Sequence, residues 1–164
     1  MSYIHTTSPG TIGNALSSIL EGALVTQYIL AYGHAEIIFE CKRSPTSCPF
    51  ETSLALLMYA PFSGPKFLEQ KIQDMDLRDN IANSFRLGSA LSNEVLQSMI
   101  SEKGDLFIGF TDGYELTVMG HNIKHDESWH FVIESSTKYV SHGVSDEWWI
   151  GCGSHGEYGA NLEE

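Results

Sequence analysis

The run Leu106-Phe107-Ile108-Gly109-Phe110, then Thr111-Asp112-Gly113, then Tyr114-Glu115-Leu116-Thr117-Val118, leaves little alternative to an antiparallel hairpin. Leu106, Ile108 and Phe110 recur at period two, which places them on one face of a strand and Phe107 on the other. The Asp-Gly pair tolerates the positive φ angles that a tight hairpin turn requires. The rest of the chain repeats this grammar. Ala23 to Leu30 and Ala35 to Phe39 are dense in β-favouring residues and flank Tyr32-Gly33-His34, which predicts a second hairpin. Leu54 to Tyr59, apolar and bounded by Pro61, fits either a buried strand or a short helix by periodicity, and strand is the expectation. Ser128 to Glu134 alternates Trp129, Phe131 and Ile133, and Glu147 to Ile150 can close the sheet.

Two stretches carry helical spacing instead. Pro65 to Asp76 sets Pro at a first-turn position and Phe67, Leu68, Ile72 and Met75 on one side. Ser92 can cap a second helix near 92–102, with Val95, Leu96, Met99 and Ile100 as its stripe and Gly104 as its stop. The expected class is therefore α+β: an antiparallel sheet including 105–119 and 128–134, with one or two helices packed on a face. Gly13-Asn14-Ala15-Leu16-Ser17 and Gly88-Ser89-Ala90-Leu91-Ser92 share four of five residues. A true repeat there would divide the chain into two pseudo-repeated halves of about 75 residues.

At 164 residues, 42% of them hydrophobic, the chain is expected to form one domain over 1–164 with its own core. Residues 1–10 read as a loose N-terminal arm, and 151–164, rich in glycine, as a C-terminal surface tail. No apolar run approaches the ~20 residues that span a bilayer, and Met1 to Gly10, without a basic or an apolar stretch, is not expected to act as a secretory signal. Cys41, Cys48 and Cys152 are an odd count that suits a reducing cytoplasm. A Cys41–Cys48 bridge fits the spacing, but a reduced Cys48 in the turn-rich Ser44 to Pro49 stretch is the simpler expectation.

Charge is the chain's strongest statement about partners. Nine Lys and Arg face 21 Asp and Glu, a net of −12. Such a field repels phosphates and anionic lipid, so neither nucleic acid nor a membrane is an expected partner. The imbalance is concentrated: from Asp105 to Glu164 eleven acids face only Lys124 and Lys138. An acidic surface confers solubility, and asymmetry this strong also suits docking of a basic protein.

Catalytic signatures are absent from the sequence. There is no Gly-x-Ser-x-Gly elbow, no phosphate loop and no Gly-x-Gly-x-x-Gly. Cys152 and His155 stand three apart in a glycine-rich stretch, which does not provide the rigid geometry of a dyad. His121 and His125, four apart with Asp126, Glu127 and His130 nearby, make the enzyme alternative, a small metal-dependent hydrolase. Their neighbours read as loop, so the expectation is no catalytic residue, no cofactor and no metal.

Trp129, Trp148 and Trp149 all fall in the acidic third. Aromatic anchors ringed by carboxylates are the composition of a protein-binding hot spot. The expected partner-binding residues are Asp126, Glu127, Trp129, Glu134, Asp146, Glu147, Trp148 and Trp149. The segment Asp105 to Glu134, with its Phe110-Thr111-Asp112-Gly113 turn and the Glu127-Ser128-Trp129 strand, resembles small acidic bacterial immunity-type proteins of toxin–immunity systems. The β-rich pattern departs from the helical immunity proteins of nuclease colicins. The resemblance implies an inhibitor that neutralises a cognate basic toxin, such as a nuclease, by covering its active site; a phage-type anti-defence inhibitor would share this chemistry. Folding is expected to need no metal. Thermal melts with and without a strong chelator should coincide, and a large drop on chelation would overturn this.

Overall fold

The computed structural model describes residues 2–31, 34–63, 87–88, 90–134 and 147–164. Half of the described residues are in strand (50%), and one helix is found among them. In chain order the elements are β1 (Tyr3–Thr6), α1 (Pro9–Leu20), β2 (Leu24–Ala31), β3 (His34–Glu40), β4 (Ser53–Met58), β5 (Phe62–Ser63), β6 (Val95–Ile100), β7 (Leu106–Phe110), β8 (Glu115–Val118), β9 (Glu127–Ile133), β10 (Trp149–Gly153) and β11 (Tyr158–Glu163). They form a seven-stranded sheet, ordered β1-β11-β10-β9-β4-β3-β2, and a four-stranded sheet, ordered β5-β8-β7-β6. Every pairing is antiparallel.

Period-two patterning explains how the sheets meet. Ile37 and Phe39 of β3, Leu54, Leu56 and Met58 of β4, and Trp129, Phe131 and Ile133 of β9 share one core with Leu106, Ile108 and Phe110 of β7. The intervening Ile38, Ala55 and Leu57 lie on the other face of the large sheet, in a smaller cluster with Tyr59 and Val132. At one corner the two sheets are stitched together: Leu24 bridges Glu94, Gly22 N–H donates to Val95 O at 2.8 Å, and Val95 N–H donates to Ala23 O at 2.8 Å.

The 106–118 hairpin forms as expected: Gly113, at φ +88°, closes the turn and Leu106 pairs with Val118. The 24–40 hairpin, the strand at 53–58 and the alternation along 127–133 are also present. The helix expected near 92–102 is instead strand β6. Ser92 does not cap; it takes φ +62° in a turn, and Gly104, at φ +81°, closes the β6–β7 hairpin rather than stopping a helix. Pairing with β7 outweighs the helical stripe, leaving Leu96 and Met99 each 59% exposed.

The helix lies elsewhere. Pro9 occupies its first turn after Ser8, and Ile12, Leu16, Ile19 and Leu20 form its buried side against the core. The loose arm is likewise replaced, since Tyr3–Thr6 pairs with β11. The expected surface tail contributes the strand pair β10–β11. Gly13 to Ser17 lies inside α1 and Ala90 to Ser92 makes a turn, so among the described residues the five-residue echo shows no pseudo-repeat. The helix expected over 65–76 lies outside the described residues.

A second close approach joins the sheets. The Trp129 indole N–H donates to Gly104 O at 2.8 Å, and Ser128 Oγ donates to Gly120 O at 2.9 Å. A Cβ on Gly120 would fall onto the Gly104 and Lys103 backbone, whereas one on Gly113 would meet nothing within 4 Å. Gly120→Ala should therefore cost about 3 kcal/mol or more through forced backbone displacement. Gly113→Ala should cost about 1 kcal/mol from left-handed strain alone. Denaturant melts of both variants check this, and equal losses would refute the junction.

Candidate functional site

Register places carboxylates from distant parts of the chain at one end of the seven-stranded sheet. Tyr3 of β1 is opposite Glu163 of β11, Asn161 of β11 is opposite Trp149 of β10, and Trp149 is opposite Val132 of β9. Glu147 and Glu134 therefore fall just beyond the paired ends of β10 and β9. On the neighbouring strands Leu54 is opposite Ile133, and Ser53 is opposite Glu40. Glu40, Glu51, Glu134, Glu147, Glu163 and Glu164 thus gather at this end or in the loop beside it.

Hydroxyls and amides hold several of these carboxylates in place. Glu40 accepts from Thr52 Oγ1 and Ser53 Oγ, both at 2.9 Å. Thr46 Oγ1 donates to Glu51 Oε2 at 2.7 Å. Ser47 Oγ donates to Glu163 Oε1 at 2.7 Å, and the Ser47 amide donates to Oε2. Their combined field is felt at Tyr3. Burial, then Glu163, Glu51 and Glu147 in that order, push its phenol above the ordinary value of 10.0. Beside Glu51 in the chain, Phe50 is 91% exposed.

The expected partner residues divide between three places. Glu134 and Glu147 belong to this acidic end. Asp126 and Glu127 stand at the opposite end of β9, about 23 Å away along a seven-residue strand. Trp129, Trp148 and Trp149 are 0%, 2% and 6% exposed, so they offer no surface to a partner. Their apolar bulk fills the sheet faces: Trp129 and Trp148 lie in the main core, and Trp149 packs 6.1 Å from His5. Asp146 lies outside the described residues. Sequence reasoning missed Glu40, Glu51, Tyr3 and Phe50, because the first two come from the half of the chain with little net charge. The aromatic neighbours become meaningful only once β1 is paired.

Histidines collect at the opposite end, but not as expected. His121 pairs across an antiparallel bridge with His155, their rings 6.0 Å apart, while His125 lies 5.9 Å from Tyr59. His121 and His125 thus have different ring neighbours. His34 and His130 also flank the Tyr59 ring, at 5.4 and 5.7 Å. His34 Nε2 is 2.7 Å from Glu36 Oε1. Glu127 Oε2 lies 3.1 Å from His130 Nδ1, near enough for an ion pair with a protonated ring but off the hydrogen-bonding direction.

All three cysteines are free thiols. Burial, with a smaller contribution from Glu40, pushes the Cys41 thiol up to about 12. Burial, then Glu157 and Asp105, does the same to Cys152. Neither is poised as a nucleophile, since the thiolate is the reactive form.

No protein-family model, curated protein or solved structure matches this chain. Thiol accessibility gives a direct check on the site's surroundings. At about pH 8 a thiol reagent should modify Cys48 alone in the folded chain and all three cysteines after unfolding. Because the two buried thiols stand above their ordinary value of 9.0, the stability they contribute is complete below that pH. It is lost as pH rises toward about 12. Rapid native labelling of Cys41 or Cys152 would contradict this.

Proposed function

We propose that the protein is an acidic inhibitor that docks a basic protein partner on the carboxylate-lined end of its large sheet. The observation that carries the reading is the convergence of Glu51, Glu147 and Glu163 on Tyr3, beside the exposed Phe50. The distribution of charge supports it. Sixteen of the 21 acids and four of the nine bases lie among the described residues, so the entire net of −12 belongs to this framework. One of those four bases, Lys42, is already paired with Glu94 at 2.9 Å.

The resemblance to immunity-type proteins makes the partner a cognate toxin, a nuclease in the most direct version, met in the cytoplasm. A nuclease must be basic around its active site to hold phosphate. Fixed carboxylates imitate that charge, accelerate encounter, and cover the site without being cleaved. Phe50 and Tyr3 then supply the desolvated contact that slows dissociation. The action is binding, with no chemistry on the partner. Among the described residues no helix is long and apolar enough to cross a membrane.

The test begins with the protein that co-purifies from the source cell and measures its association with the full chain at several salt concentrations. Glu51→Lys with Glu147→Lys should lower the association rate about tenfold at low salt, and this difference should fade as salt rises. Phe50→Ala should raise the dissociation rate and cost more than about 1 kcal/mol. Asp126→Lys with Glu127→Lys, at the other end of the sheet, should change little. Unchanged rates in the first two variants would refute the reading, as would failure of a stoichiometric amount to suppress the partner's activity.

A further inference from the structure

We infer that His121 and His155 form a two-histidine site for a divalent transition-metal ion. The inference does not rest on the docking reading, because the pair lies at the opposite end of the large sheet. His121 is in the loop after β8 and His155 is in the turn between β10 and β11, 34 positions apart in sequence. They oppose each other directly in an antiparallel bridge, and both are exposed. Directly opposed residues on antiparallel backbones have Cβ atoms ~4.5–5.5 Å apart, close enough for two imidazoles to converge.

The ring geometry fits a shared ion. With each ligating nitrogen about 2.0 Å from the metal, the centres of two imidazoles on one ion stand at most ~6.4 Å apart. The observed separation is 6.0 Å, with the planes at 81°. That separation lies close to the upper limit, which is reached when the two nitrogens are trans on the ion; cis ligation requires the side chains to rotate and bring the ring centres to ~4.5–5.2 Å.

Three further features prepare the pair. His155 Nδ1 is 2.9 Å from Ser154 Oγ, an arrangement that leaves Nε2 to ligate while the hydroxyl orients the ring. The backbone beneath is tied down: Asn122 N–H donates to Ser154 O, and Ser154 N–H donates to Asp126 O, both at 3.0 Å. Asn122 is itself buried, its side-chain amide donating to Glu127 O at 2.8 Å. Two carboxylates stand near the pair, since Glu157 Oε2 accepts the His155 amide at 2.9 Å and exposed Asp126 is in the same loop as His121; exposed Lys124 shares that loop.

Among the described residues no group of three His, Cys, Asp or Glu is placed to hold a metal. Water therefore completes the coordination shell, and the site is a reversible surface clip joining the β8–β9 loop to the β10–β11 turn. Two imidazoles select by the usual order of affinities, so Cu2+ binds more tightly than Ni2+ or Zn2+. This is compatible with folding that needs no metal.

Calorimetric titration of the metal-free full chain with Cu2+, Ni2+ and Zn2+, each alone, tests the site. One equivalent of Cu2+ should bind, with two nitrogen ligands in its electron paramagnetic resonance spectrum. His121→Ala and His155→Ala should each abolish this binding. His125→Ala, whose ring belongs to the Tyr59 cluster, should leave it unchanged, and Ser154→Ala should weaken it roughly tenfold. Should an alanine variant fail to fold by circular dichroism, Ni2+ added to the unaltered chain decides instead, by selectively broadening the ring-proton signals of His121 and His155. Binding that survives either histidine substitution, that disappears with His125, or that broadens other histidines first overturns the inference.

Discussion

The meeting of three backbone segments around Gly104, Gly120 and Gly156 holds the rest of the structure in register. A side chain on Gly104 would strike Cys152 Sγ and the Gly156 carbonyl, and one on Gly156 would strike the Lys103 carbonyl. Close approach of bare backbone leaves polar groups to be satisfied. The Trp129 indole N–H does this for Gly104 O, the Ser128 hydroxyl for Gly120 O, and Asp105 Oδ1 accepts the Gly120 amide at 2.8 Å. A buried carbonyl deprived of its donor costs about 1–3 kcal/mol, so Trp129 is held by its nitrogen as well as by its bulk.

This junction also explains the polarity of the molecule. It anchors the β6–β7 turn, the end of β8 and the β10–β11 turn at one end of the large sheet, and it brings His121 within reach of His155. Strands leaving the junction deliver their other ends to the opposite edge, where Glu40, Glu134, Glu147 and Glu163 accumulate. One end presents imidazoles on tied backbone and the other presents carboxylates on strand termini. The proposed docking and metal-binding surfaces are thus separate in space and can be altered independently.

Legibility in the sequence followed the range of the interaction that decides each element. The 106–118 hairpin was readable because Asp112-Gly113 and period-two alternation are local and consistent with the final pairing. The 92–102 segment was misread because Ser92, Gly104 and the Val95, Leu96, Met99, Ile100 spacing satisfy helix rules locally, while pairing with β7 and burial of Val95 between the sheets are long-range contacts that no local rule registers. Helix α1 had readable signals in Ser8-Pro9 and in Ile12, Leu16, Ile19 and Leu20, but the polar opening of the chain obscured them. Trp148 and Trp149, adjacent residues pointing to opposite faces, were both drawn inside by a sheet with apolar contacts on each side.

The sequence by itself determined that the chain is sheet-rich, that its charge is strongly negative, and that 106–118 turns back at Gly113. Each depends on composition or on neighbours a few positions apart. Only the tertiary structure decided which carboxylates share a surface and which histidines face each other. Those groupings depend on strand order and register, which join Tyr3 to Glu163 and His121 to His155 across most or part of the chain. A one-residue slip would move every side chain of a strand to the other face. No spacing within a single segment carries that information.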